Sequence, residues 1–229
     1  MSKTHSGEGL RAAARFALFD LDRTLVRRDT ARLWIRYQYR RGQASVRDVA
    51  RVSWWMLQYT LGLVDAEAVA ERALRPYVGW LEDDLASVTE EFAQRAVIPL
   101  LNKTARERVE HHRGMNHELA IVTSATRYVA GPVARALGIE HLVCTELQVV
   151  DGRLTGKVVP PLCYSAGKVT RTEQWLRARG GRLSEAVFYS DSNTDRPLLG
   201  VVGTPVLVNP DPLLRLENFE HGWPTERWR

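Results

Sequence analysis

Cysteine is scarce in this 229-residue chain: only Cys144 and Cys163 occur, with no CxxC and no Cys/His spacing around them. Two thiols so placed make neither a disulfide framework nor a zinc site, and the default compartment is reducing and cytoplasmic. Long apolar runs are lacking too. The longest, Val52 to Val64 (VSWWMLQYTLGLV), is well short of the roughly 20 residues that cross a bilayer as a helix, so no span is expected. The opening MSKTHSGEGLRAAAR has no apolar core, because Arg11 and Arg15 bracket only alanines, and no secretion signal is read there. No GxxxxGK[ST] loop occurs, which leaves nucleotide-driven kinase chemistry without support. Lysine is also rare, at four of the 32 basic residues, so arginine is this chain's habitual cation.

What is present is an ordinary globular composition, 45% hydrophobic and 26% charged, enough to bury a sizeable core. The net charge of +5 favours anionic partners without separating small phosphates from nucleic acid or lipid headgroups. Phe16–Asp20 (FALFD) is a short apolar run ending in an acid, the pattern of a buried parallel strand that presents chemistry at its carboxyl end. From Asp29-Thr30 to about Arg113 the pattern is helical, punctuated by Gly42, Gly62 and Gly79, and four or so short helices are expected, with Ser45 and Asp65 as capping residues.

From Glu118 onward strand and helix alternate. ELAIVT reads as a strand, Thr126–Leu137 as a helix stopped by Gly138, and HLVCTELQVV as a strand-rich run turned by Asp151-Gly152. Ala166–Arg179 reads as a helix, AVFYS as a strand, Thr194–Leu199 as a short helix, and TPVLVN as a last strand before a polar tail. The expected fold is therefore α/β: a doubly wound, Rossmann-like, mainly parallel sheet with a helical cap inserted after the first strand. The expected division is a flexible N-terminus at 1–14, a core from 15–26 and 106–229, and a cap insertion at 27–105.

The segment FDLDRTL puts Asp20 and Asp22 two apart at a strand end, and the chain is expected to leave the strand after Asp20. Two carboxylates there suit a nucleophile and an acid/base flanking one phosphate. Three further pieces follow: IVT at 121–123, Lys168 near a helix start, and YSDSNTD at 189–195. Each follows a strand or opens a helix, so an α/β sheet can gather them at its carboxyl edge. The rarity of lysine makes Lys168 stand out, since a compact ammonium reaches carboxylate and phosphate alike as a point charge.

DLDRTL, IVTSAT, Lys168 and YSDSNTD resemble the four signature motifs of the haloacid dehalogenase superfamily, in the order of its phosphoserine phosphatase-like branch with a helical cap. The resemblance runs from about Phe16 to Trp228. It implies a phosphatase in which Asp20 attacks phosphorus to form an aspartyl phosphate, while Asp22 protonates the leaving alcohol and then activates water. It implies Mg²⁺ held by Asp20, the Asp22 carbonyl and Asp191, with Asp195 orienting a metal-bound water. Thr123 and Lys168 would bind the transferring phosphoryl group, and the hydroxyl of Ser124 is the alternative to that of Thr123. The implied partner is a small phosphorylated metabolite, for instance an amino-acid or amino-alcohol phosphate, with no nucleic acid. An amphiphilic, lipid-like phosphate is the second reading and a non-catalytic phosphate-binding module the third; the oligomeric state is not legible.

This chain departs from the motif pattern at Arg23, where glycine or serine is usual, and at Ser190, where glycine is usual and little effect is expected. Asp29 lies nine residues after the nucleophile, where phosphoserine phosphatases carry a glutamate that meets the substrate amine; here it either meets an amine or caps the first cap helix. His111, His112 and His117 have no zinc spacing and read as a solvated helix end. Arg28, Arg32, Arg36 and Arg40 share one helix side, either a solvated face or a basic rim that draws phosphorylated substrates or an acidic membrane surface. The run Trp54-Trp55-Met56-Leu57, with Tyr59 and Leu61, is apolar around almost the whole helix and reads as buried on two sides within the cap, with a dimer surface or a lipid-like or aromatic substrate pocket as the alternatives.

Overall fold

The computed structural model describes residues 14–60 and 65–229; the side chains at 53, 55–57, 59 and 60 fall outside this description. The expected flexible stretch 1–14 therefore lies outside the described residues apart from Ala14, as do Leu61 and Gly62.

A short apolar run organises the molecule. Strand β1 (Phe16–Phe19) is buried at all four positions and has a parallel neighbour on each side, β2 (Glu118–Thr126) and β6 (Ala186–Ser190). A strand covered on both faces has no solvent side, which is why FALF carries no polar alternation. With β3 (His141–Thr145), β7 (Thr204–Val208) and β8 (Thr225–Glu226) these form a six-stranded parallel sheet ordered β3-β2-β1-β6-β7-β8. The order reverses at β1, so the carboxyl end of β1 is the topological switch point, where an open α/β sheet leaves a crevice.

Side chains of period two feed two cores. Ala17, Phe19, Ile121 and Val187 meet α5 (Lys103–Gly114) and α6 (Arg127–Leu137) on one face. Phe16, Leu18, Val122 and Phe188 meet α7 (Ala166–Arg177), α8 (Arg196–Leu199) and α9 (Pro212–His221) on the other. Gly138, at φ 62°, ends α6 in the left-handed region that a side chain resists.

Between β1 and α5 lie α1 (Thr30–Arg40), α2 (Val46–Thr60), α3 (Ala66–Leu74) and α4 (Glu82–Phe92). Asp29 and Asp65 cap α1 and α3 by accepting main-chain N–H bonds, and Ser45 exchanges bonds with Asp48 at the start of α2. After α4 the helix loosens into a π turn (Ala93–Val97) and a tight turn (Ile98–Leu100) as Pro99 withdraws its N–H. The two stems of the insertion pair: Arg27 N–H donates to Leu100 O at 3.0 Å and Asn102 N–H to Leu25 O at 2.9 Å.

The strand-rich run HLVCTELQVV holds two strands: β3 ends at Thr145, and Leu147–Val150 (β4) pairs antiparallel with Arg153–Val158 (β5) outside the main sheet, in the hairpin expected at Asp151 (φ 49°) and Gly152 (φ 71°). That hairpin reaches the insertion, with Gly79 N–H donating to Leu154 O and Glu82 N–H to Gly152 O, both at 2.9 Å. Two expectations are corrected. TPVLVN is not the last strand, because the polar tail folds into α9, capped by Asp211 through Leu214 N–H and opened by Pro212, and into β8, which pairs with β7. Trp54, expected inside, is 58% exposed, while Trp55, Met56, Leu57 and Tyr59 belong to the undescribed side chains. Among the described residues no helix is long and apolar enough to cross a membrane.

Candidate active site

The sheet's carboxyl edge collects acids that burial makes expensive to ionise. Asp20 directly follows β1, its N–H bonded to Tyr189 O at 2.9 Å, and is itself buried. The chain then turns out of the strand. Arg23, at φ 57°, holds the left-handed conformation that glycine adopts most readily, and its side chain is exposed. The turn brings Asp22 to the start of α1, where its Oδ1 accepts Thr30 N–H at 2.6 Å.

Opposite stands Lys168, in the first turn of α7 and 3% exposed. Gly167 lets that turn approach, since a Cβ there would lie 2.0 Å from Leu162 O. The ammonium is 2.7 Å from Asp20 Oδ1, 2.8 Å from Asp195 Oδ2 and 2.7 Å from Asp195 Oδ1, with hydrogen-bond alignment to the Oδ2 atom. Burial alone would depress the lysine's pKa, but the charges of Asp195 and Asp20 outweigh it and raise it, so the ammonium stays charged.

Asp191 follows β6, and Asp195 lies in the turn that leads into α8. Ser190 Oγ donates to Asp195 Oδ2 at 2.7 Å and accepts Ser192 N–H at 3.2 Å, so the serine expected to matter little ties the two acids' segments together. Thr123 and Ser124 lie on β2 beyond Ile121, the residue paired with Phe19, and so at the same edge. Thr123 is buried and accepts Ala125 N–H at 3.1 Å; Ser124 O accepts the Thr145 hydroxyl at 2.8 Å.

Burial pushes the Asp20 carboxyl up to about 6 against the pull of Lys168. Burial, then the charges of Asp29 and Asp20, push Asp22 to about 8. Asp191 rises well above the carboxylate range through burial and then the charges of Asp20 and Asp195, opposed by Arg23. Four carboxyl groups gather at this edge and the ammonium contacts two of them, Asp20 and Asp195, a surplus of acids that suits a hard divalent cation with oxygen ligands. No group of three or more His, Cys, Asp and Glu side chains converges as a metal cage among the described residues. The implied set is compatible with that, because it uses two side-chain carboxylates, Asp20 and Asp191, and a main-chain carbonyl.

A family model described as haloacid dehalogenase-like hydrolase matches residues 17–200. The chain belongs to this family. It is 34% identical over 213 residues to a histidinol-phosphatase of Neisseria meningitidis serogroup C, covering 91% of this chain and 96% of that one. A solved structure of a protein of unknown function from Bordetella pertussis superposes with a TM-score of 0.84 at 35% identity, over 93% of this chain and 98% of that one. A phosphoserine phosphatase solved as a phospho-aspartyl intermediate analogue shares the fold, with a TM-score of 0.69 at 18% identity over 90% and 91% of the two chains.

In this hydrolase the structure joins Asp20, Lys168 and Asp195 by direct contact and sets Asp22, Asp191, Thr123 and Ser124 at the same edge. Asp29 caps α1, its carboxylate accepting Arg32 N–H at 3.0 Å, and lies near enough to raise Asp22. Sequence reasoning missed Asp211, whose N–H donates to Asp191 O and whose Oδ2 accepts Asn193 N–H, both at 2.8 Å, bracing the loop that carries Asp191. Its one signal is the helix-start pattern Asp211-Pro212. The histidines need correction as well: His112 is buried on α5, with Nε2 2.8 Å from the Tyr189 hydroxyl and Nδ1 2.9 Å from His117 Nδ1.

Proposed function

We propose that this chain, a phosphoric monoester hydrolase of the haloacid dehalogenase-like family, releases phosphate from a small amino-alcohol or amino-acid phosphate through an aspartyl phosphate on Asp20. The observation that carries the reading is the Lys168 ammonium lying between Asp20 and Asp195 at the switch point of the sheet. A nucleophilic carboxylate approaching a phosphate dianion meets repulsion, and a buried ammonium beside it offsets that charge in both the ground state and the transition state.

Asp20 supplies the attacking oxygen, forming its bond to phosphorus as the ester oxygen departs. Asp22, pushed up to about 8, is protonated at neutral pH and donates that proton to the departing alcohol. It then takes a proton from the water that releases phosphate from Asp20. Thr123, with Ser124 beside it, and Lys168 hold the phosphoryl oxygens. Mg²⁺ would be held by Asp20, the Asp22 carbonyl and Asp191, and when bound it supplies a Lewis acid that offsets phosphoryl charge. Asp195 positions Lys168 and, with the metal bound, would orient a water on it.

The insertion 27–105 serves as a cap over this edge, with the core at 15–26 and 106–229. Asp29, at the cap's entrance, meets the cation of the leaving group, and the histidinol named for the Neisseria relative is an amino alcohol of that kind. The protein works in the cytoplasm, in keeping with its two free, buried cysteines. Phosphate release from an aryl phosphate with Mg²⁺ tests the nucleophile: Asp20→Asn is expected to abolish turnover with an unchanged melting temperature. Turnover equal to that of the unsubstituted chain would rule Asp20 out.

A further inference from the structure

We propose that the α1–α2 hairpin is a docking surface for an anionic phospholipid bilayer. Residues 27–51 carry eight arginines against two aspartates, a surplus above the +5 of the whole chain. Both aspartates are engaged. Asp29 caps α1, and Asp48 is held by Ser45 and Arg51. Arg41 pairs with Glu91 at 2.8 Å, but among the described residues Arg28, Arg32, Arg36, Arg40 and Arg47 form no ion pair, and all five are exposed.

The inner face of α1 is used: Leu33, Trp34 and Tyr37 pack on the core. Its outer face meets α2 in an open groove of about 430 Å³, floored by Ile35, Val46 and Val49 and rimmed by Arg32, Arg36 and Tyr39. Tyr39 and Val46 are exposed at this groove, and Trp54 is exposed farther along α2, seven residues after Arg47 and on the same side of the helix as it. Aliphatic floor, basic rim and exposed Tyr and Trp are the parts of a helix pair lying in a membrane interface: guanidinium groups meet lipid phosphates while the aromatic rings sit at headgroup level. A nucleic acid backbone would use the arginines and leave Ile35, Val46 and Val49 without a partner, so the aliphatic floor favours the bilayer.

Flotation of the full-length protein with phosphatidylcholine vesicles, with and without phosphatidylglycerol, tests this. Binding is expected only with phosphatidylglycerol and is expected to weaken as salt rises. The triple variant Arg32→Gln, Arg36→Gln, Arg47→Gln should lower the partition coefficient by roughly a hundredfold. The double variant Tyr39→Ser, Trp54→Ser, with every arginine kept, should also weaken binding. Hydrolysis of a soluble aryl phosphate reports that each variant is folded. Equal flotation on both vesicle types would overturn the proposal, as would flotation that survives the arginine substitutions. Arginine-dependent retention of a duplex oligonucleotide without flotation would replace the bilayer with nucleic acid, and an arginine-dependent dimer without flotation would replace it with a second copy of the chain.

Discussion

Lys168 holds two buried carboxylates at once, and that geometry limits what can replace it. Its Nζ lies within 2.8 Å of oxygens on both Asp20 and Asp195, in a site with almost no exposed surface around the ammonium. A guanidinium is planar and wider, with a donor fork suited to one carboxylate edge rather than to two acids converging on a point. Lys168→Met is expected to lower kcat on the order of a hundredfold or more, as loss of a donor aimed at developing charge does. Lys168→Arg is expected to recover little of it. Steady-state kinetics with a thermal melt on each variant separates the chemistry from the cost of two unpaired acids, and full recovery by arginine would contradict the point-charge account. Asp191 and Asp195 divide in the same way. Asp191→Ala should raise the Mg²⁺ concentration for half-maximal activity more than Asp195→Ala, because Asp191 is the proposed ligand whereas Asp195 is already committed to Lys168 and Ser190.

At the scale of elements, the side chain proposed to select the substrate is also the one that caps α1. Asp29 accepts Arg32 N–H, so alanine there should cost about 0.5–2 kcal/mol of stability whatever the substrate. Asparagine caps about as well as aspartate, so Asp29→Asn removes the charge and keeps the cap. KM is then expected to rise for amine-bearing phosphates and to hold for neutral ones such as glycerol phosphate; an equal response from both classes would make Asp29 a cap alone.

Which elements could be read in advance follows from how local their causes are. Strand β1 and the end of α6 were legible because a run of four apolar residues and a left-handed glycine act within their own segments. The gathering of Asp20, Lys168 and Asp195 was legible from motif order, since strand ends in a parallel sheet share one edge. The split between β3 and β4 was not, because β-propensity does not say which neighbour a strand takes. Nor was α9, where exposed Leu213, Leu216 and Phe219 blur the face that buries Leu214. The burial of His112 depends on Tyr189 and Phe19, which reach it only through the folded sheet. Asp211 acts through a main-chain bond to Asp191, and a sequence carries no mark of that.

The whole molecule carries its site's charge imbalance as a dependence of stability on pH. Asp20 and Asp22 rise from 3.8 to about 6 and about 8 on folding. A carboxyl raised in this way holds its proton more tightly in the folded state, so its contribution is complete below about 3.8 and is lost as pH rises through the folded value. His112 works in the other direction. Burial, then the charges of His117, His111 and Arg108, depress it from 6.5 to about 4, so its contribution is present above 6.5 and is lost as pH falls through about 4. Above 6.5 the imidazole is mainly neutral in both states, and up to about 8 the site carboxyls set the slope, which is downward. A divalent cation on Asp20 and Asp191 needs them ionised, so binding stabilises the fold more as pH rises through this window. Thermal melts in EDTA are therefore expected to show a falling melting temperature from about pH 6.5 to about pH 8. Melts with Mg²⁺ should fall less, so that the gap between the two series widens with pH. Parallel curves would mean that the ionised acids of this site do not carry the metal, and the ligand set of Asp20, the Asp22 carbonyl and Asp191 would have to be abandoned.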